Sequence, residues 1–419
     1  MSKRLLIFCL LLFLILLPHL SFIYWPEMLS RPFLILHGWL PYRDFVMEHA
    51  PLLPVILAGW FRLFGLGFIQ LQIFTWGIIA VTAVIINKYF SRFAAFIYLL
   101  LVFAYQGNGL WFDLALTPLL LICFILMEKK KYFPAGVVFV LAFFTKQTAI
   151  WLLPAFLYFL YQNHRTLKIF VSGIALAGIL VVLMLASFGI FDEFLKWAVS
   201  IRAPAIWPTP AQFIYAFSPF IVLFLPSTVN SKLLTKIKMM AILSALGVFP
   251  RWELLHFQPA LPYLAILLAG FFILPNKNLT KSLLTIILCG FLIRQYAQII
   301  NQPDRFREPE FLQTLNYVKN NTGELDRIFV LNTWESLYAL SHCLPASRPL
   351  YPYLPWYLDL PSVQESVISN LVFSQPKLII VGETELSGLG SYLPRQLNSY
   401  LEQNYRKTAK IGSNYVWEK

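Results

Sequence analysis

The stretch Gly38–Gly65, GWLPYRDFVMEHAPLLPVILAGWFRLFG, decides how this chain is read. Tyr42, Arg43, Asp44, Glu48 and His49 crowd into its first part. Pro51-Leu-Leu-Pro54 then opens an apolar stretch that carries Arg62 close to its end. Apolar sequence flanks the segment on both sides. A chain built from hydrophobic spans has little reason to keep so polar and aromatic a loop unless the loop lines a site. We read it as the floor of a candidate site with Asp44 at its centre.

The composition around it is that of a membrane protein. Hydrophobic residues make up 58% of 419, aromatic residues 17% and charged residues 13%, whereas soluble domains carry about a quarter charged residues. The net charge of +13 does not point to nucleic acid. The basic residues fall in short clusters between apolar runs, which is the distribution that sets membrane orientation. Cys9, Cys123 and Cys289 lie in apolar runs and Cys343 stands alone in the polar C-terminal part, so no disulfide framework or metal-type cysteine pair follows.

Read in order, Ser2-Lys3-Arg4 precedes an apolar run from Leu5 to Tyr24 without a small-residue cleavage site, which predicts an uncleaved first span with its amino terminus inside. Further spans are expected near 67–86, 93–107, 114–127, 133–145, 149–161, 169–189, 213–228, 236–249, 259–275 and 281–299, about 11 transmembrane helices in all. Charge tests that placement. Lys88 and Arg92, Lys129 to Lys131, Arg165 and Lys168, Lys232, Lys236 and Lys238, and Lys277 and Lys281 occupy alternate connections. Of the acidic residues, Glu128 alone shares those connections, and the others are sorted to the opposite side. An odd number of spans then puts residues 300–419 outside the cell membrane as well.

Several spans, Phe133–Thr145 and Ala149–Tyr161 among them, fall short of the roughly 20 residues that cross a hydrocarbon core. The Lys146-Gln147-Thr148 turn between those two is therefore expected below the outer surface, lining a cavity that suits a lipid head group.

From Asn301 the pattern changes. Helices are expected at 310–320, 333–341, 362–373 and 393–405, and buried strands at 327–331 and 377–381. A Pro- and Tyr-rich loop covers 344–357, and a short strand lies at 415–417. This alternation predicts a small extracytoplasmic α/β domain without a phosphate-binding GxGxxG loop. The expected organisation is a transmembrane domain at 1–299, with its first outer loop at 25–66, and an accessory domain at 300–419.

The residues resemble a known family. A first span followed by an outer loop of the form G-x2-PYRDF-x3-H-x-PL is similar to the GT-C superfamily of integral membrane glycosyltransferases. The likeness is to its bacterial branch of protein O-mannosyltransferase relatives, the aminoarabinose transferase of lipid A and RgtA/B/C/D-like enzymes. AGVVFVLAFFTKQTAIWLLP (Ala135–Pro154) is similar to the family's AG-x3-G-x3-LTK segment, and PRWELLHFQPALPYLAIL (Pro250–Leu267) to its R-x3-HY-x2-PALP segment. Phe143, Phe144 and Phe257 depart from the usual pattern.

The resemblance implies transfer of a sugar, hexosyl or pentosyl, from a polyprenyl-phosphate carrier to an acceptor hydroxyl of a lipid, glycan or protein on the outer face, with inversion. Such a reaction needs a carboxylate to take the acceptor proton and cations to hold the departing phosphate. Asp44 matches the family's first-loop aspartate and is the expected base. Its bland alternative is a solvated carboxylate paired with Arg43. Glu48, four residues on, shares a face with Asp44 if the segment is helical, and with His49 the pair makes a candidate site for a divalent metal; otherwise His49 is a capping or hydrogen-bonding residue. Asp113 is either a site neighbour or a helix cap. Lys146 is the leading candidate for the donor phosphate, because a charged lysine at membrane depth is costly unless an anion meets it, although it could instead snorkel to the interface. Arg251 with His256 comes next, then Arg43 and Arg202. Two other classes stay open: a cell-envelope glycan polymerase or ligase, which usually places its large loop late in the chain, and a multi-span lipid or solute transporter, which would show paired interrupted helices.

Overall fold

The computed structural model describes residues 17–201, 203–226, 231–275, 278–383 and 392–419, and divides into two compact units. Arg202 and most of the expected first span lie outside the described residues.

The first unit comprises 1–23, 72–184 and 204–302 and is helical. Among the described residues, four helices, Phe68–Tyr89, His164–Ser187, Leu254–Ile273 and Asn278–Ala297, have the length and apolar composition to cross a bilayer, and shorter apolar helices such as Arg92–Ala104 and Tyr132–Thr145 accompany them. Leu254–Ile273 is buried along almost its whole length and packs on Arg92–Ala104. Val84, Ile179, Leu183, Ile286 and Ile293 stand exposed on the other helices. Outward apolar side chains on helices with internally satisfied backbones are what lipid requires, so the chain is a membrane-embedded helical protein. Tyr132–Thr145 approaches His164–Ser187 through Gly136 and Gly173. A Cβ on Gly136 would lie 2.2 Å from the Phe170 carbonyl oxygen, and one on Gly173 would lie 2.2 Å from that of Phe133. Glycine, which has no Cβ, allows this backbone approach.

Two expected spans take a different form. The segment expected at 149–161 is a 3-10 turn, Gln147–Leu152, leading into the helix Leu153–Leu160. Of the chain expected to remain helical to Tyr24, the described residues form a 3-10 turn at Leu17–His19 and then extend, pairing Leu20 with Ile300 and Ile23 with Gly109.

The second unit comprises 24–71, 185–203 and 303–419. Its centre is a five-stranded sheet of β1 (Arg327–Leu331), β2 (Leu344–Pro345), β3 (Leu378–Gly382), β4 (Arg406–Ile411) and β5 (Asn414–Glu418), in the order β2-β1-β3-β5-β4. β1 runs parallel to both neighbours, while β3-β5 and β5-β4 are antiparallel. The helices Val363–Ser374 and Arg395–Asn404 cover it through Val367, Leu371, Leu397 and Leu401, which join Phe329, Ile379 and Trp417 in one core. The α/β alternation read from sequence is observed, with a hairpin strand, β4, that the reading omitted because its residues, RKTAKI, are mostly exposed. The compact units do not divide at residue 299. The first outer loop groups with the sheet, because Val46 N donates to Leu350 O at 2.8 Å and Leu350 N to Asp44 O at 2.9 Å.

Candidate functional site

In the second unit, Asp44 sits in a turn rather than a helix. Asp44 N donates to Leu40 O and Tyr42 N to Phe45 O, at 2.9 and 2.8 Å. Tyr42 holds a φ of +70°, a left-handed conformation that a bulky side chain adopts only when its surroundings impose it. Here burial of the ring and a hydrogen bond from the Tyr42 hydroxyl to His49 O at 2.8 Å do so. The turn aims the carboxylate at two guanidiniums. Arg43 donates through Nε to Oδ1 and through Nη2 to Oδ2, both at 3.0 Å; Arg348 donates Nη2 to Oδ2 at 2.7 Å; and Leu40 N donates to Oδ2 at 2.8 Å. Arg348 also lies 5.0 Å over the Trp39 ring. Burial works to raise the Asp44 carboxyl, but the hydrogen bonds from Arg348, Arg43 and Leu40 outweigh it and hold the group well below the usual carboxylate range.

Glu48 does not share a face with Asp44, since residues 38–51 form turns and bridges. It pairs instead with Arg31 at 3.1 Å and with His49 at 3.6 Å. Burial raises its carboxyl, yet Arg31 and His49 bring it down to about 2. The residues expected to hold a divalent metal therefore do not fit one. The Asp44 oxygens are engaged by arginines and Glu48 is turned to Arg31, and among the described residues no group of three histidines, cysteines or acids converges. A hard cation needs an oxygen cage that this arrangement does not provide.

Arg31 is itself part of a buried group that sequence reasoning missed. Ser30 Oγ donates to Glu335 Oε1 at 2.5 Å, and Glu27, at the start of the same helix Glu27–Leu36, has an oxygen with no hydrogen-bond partner. Burial and the neighbouring Glu335 push Glu27 up to about 7, with Arg31 only partly opposing them. Its folded value is raised above the ordinary 4.5, so its stabilising contribution is complete below about pH 4.5 and is lost as pH rises through about 7. The melting temperature should fall across that window by the equivalent of up to about 3 kcal/mol. Glu27→Gln should flatten the fall; an unchanged pH profile in that variant would show that Glu27 is not the group that titrates.

In the first unit, three residues named from sequence meet. Asp113 opens the helix Phe112–Glu128. The loop before it is fixed by Ile23 N to Asn108 O at 2.9 Å and by Asn108 Nδ2 to Ser21 O at 2.7 Å. Lys146 ends the helix Tyr132–Thr145 in an extended conformation, and His256 lies in the 3-10 segment Leu254–Ala260. Lys146 Nζ donates to Asp113 Oδ2 at 2.5 Å, His256 Nδ1 lies 2.7 Å from the same oxygen, and Nζ and Nδ1 are 3.0 Å apart. Asp113, Lys146 and His256 are 0%, 4% and 7% exposed. Asp113 is thus the counter-ion of Lys146 rather than a helix cap, and Lys146 does not snorkel. Asp113 Oδ1 keeps no hydrogen-bond partner. Arg251 is not part of this triad; its backbone bridges Ile206.

Comparison with known proteins places the fold. No protein-family profile and no curated protein sequence matches the chain. Solved structures do, and the likeness is one of fold. Among them, ArnT from Cupriavidus metallidurans in the apo state superposes with a TM-score of 0.64 at 11% identity, over 99% of this chain and 97% of that one. The same protein bound to undecaprenyl phosphate superposes with a TM-score of 0.55 at 13% identity, again over 99% and 97%.

Proposed function

We propose that the protein transfers a sugar, hexosyl or pentosyl, from a polyprenyl-phosphate donor to an acceptor hydroxyl on the extracytoplasmic face of the cell membrane, with inversion at the anomeric carbon. The observation that carries the reading is the buried Asp44 carboxylate held between Arg43 and Arg348, in a fold whose ArnT representative binds undecaprenyl phosphate. In the reaction the acceptor oxygen bonds to the anomeric carbon and its proton passes to Asp44. The bond from that carbon to the phosphate oxygen breaks, and the electron pair leaves on the phosphate. A carboxylate supplies the proton sink and guanidiniums stabilise the charge that grows on the leaving group. Lys146 and His256 are assigned to the donor phosphate, with Asp113 holding Lys146 in place until an anion arrives. The amino terminus is assigned to the cytoplasm and residues 300–419 to the outside.

The test is reconstitution of the full chain in proteoliposomes with polyprenyl-phosphate hexoses and pentoses. Release of the polyprenyl phosphate coupled to a glycosylated acceptor of inverted configuration is the expected result. Movement of intact lipid-linked sugar across the bilayer without cleavage would instead establish a transporter.

A further inference from the structure

The two arginines on Asp44 are not equivalent. Arg43 lies in the same turn as Asp44 and forms a two-pronged bond with both carboxylate oxygens. Arg348 makes a single hydrogen bond to Oδ2. Its side chain is 42% exposed, against 6% for that of Asp44, and its remaining N–H groups have no protein partner among the described residues. The Trp39 ring beneath it gives the guanidinium a second support that does not depend on the carboxylate. Its backbone is pinned meanwhile, because the chain two residues on is bridged to Phe45 through Leu350. Arg348 therefore has a fixed base, a movable head and unused donors.

The charges explain what the head moves toward. One carboxylate between two guanidiniums leaves a positive excess that Glu193, which acts on Arg43, offsets only in part. That excess suits an anion, and the fork of an arginine suits a phosphate in particular. A carboxylate bound by two arginines is also a poor proton acceptor, so a base in this setting has to shed one of them before it can act.

We propose that Arg348 is an exchangeable partner of Asp44: in the resting protein it holds the carboxylate, and when the donor arrives its guanidinium turns to the donor phosphate, freeing Asp44 at the moment the phosphate is in place. This rests on the glycosyltransferase reading and deepens it, giving the sheet-bearing C-terminal region a positioning role in the reaction. A base that stays capped until the donor is bound does not act on the acceptor alone.

The test measures binding and turnover separately on the full chain, with undecaprenyl phosphate as the binding probe. Arg348→Gln should weaken undecaprenyl phosphate binding on the order of ten- to a hundred-fold, and Arg348→Lys should recover part of that loss. The acid limb of the kcat/KM profile, which reports the free protein, should move to higher pH in Arg348→Gln, because Asp44 then keeps one arginine instead of two. That of kcat should stay where it is, because Arg348 has already left Asp44 in the donor complex. In the wild type, binding should change the emission of Trp39, a response missing in Trp39→Phe; this readout needs no Arg348 variant to fold. Unchanged affinity in both Arg348 variants, or no Trp39 response on binding, would overturn the exchange and leave Arg348 as a fixed support. Arg348-dependent binding by a protein that transfers no sugar would overturn the glycosyltransferase reading while sustaining the exchange.

Discussion

Asp44→Asn is expected to slow sugar transfer about a hundred- to ten-thousand-fold, which is about 2.7 to 5.4 kcal/mol of barrier. The substitution keeps the shape of the side chain and the bond from Leu40 N, but the amide cannot take the acceptor's proton. Binding should respond in the opposite direction. The neutral side chain releases the guanidinium that holds it at 2.7 Å, so undecaprenyl phosphate should bind as well as to the wild type or better. That divergence separates a base from a phosphate ligand, whose loss would weaken binding and turnover together. Transfer at close to the normal rate in proteoliposomes would remove Asp44 from the chemistry.

Lys146→Met is the second large effect, and it is expected in stability first. Asp113 is fully buried and its link to Lys146 is 2.5 Å long, so losing the lysine leaves a carboxylate in the interior with His256 as its remaining side-chain partner. Breaking a buried pair from one side costs about 3 to 5 kcal/mol, whereas removing both charges often costs little. Asp113→Asn combined with Lys146→Met should therefore be more stable than Lys146→Met alone, a non-additivity read by thermal unfolding in detergent. Destabilisations that simply add would show that the two charges do not depend on each other. The more stable double variant also tests the donor-side assignment of Lys146: normal affinity for undecaprenyl phosphate in a folded double variant would withdraw it.

The amino-acid sequence by itself determined the class of the chain and most of its candidate residues. Apolar runs and the sorting of lysines and arginines are local or additive properties, so they carry the membrane character without any knowledge of contacts. The alternation after Asn301 carries the α/β character in the same way. Three short segments in order carried the resemblance to the GT-C superfamily, and the fold proved to be shared with ArnT; Asp44, Lys146 and His256 were named from those segments and Asp113 from the next outer loop.

Pairing was decided by the tertiary structure. A helix around Asp44 would have put Glu48 beside it, yet a turn closed by Tyr42 sends the two carboxylates to different arginines. Arg348 lies 304 residues from the aspartate it holds, inside a Pro- and Tyr-rich loop with no motif to mark it. Lys146 and His256 reach Asp113 across 33 and 143 residues. Glu27, Arg31 and Glu335 become a buried charge group only when the helices Glu27–Leu36 and Ser336–Ser341 pack together. Periodicity records which face of an element is apolar, but a carboxylate's partner is fixed by where distant backbone segments cross. Here those crossings are set by single bridges such as Phe45 with Leu350, which leave no trace in composition or spacing.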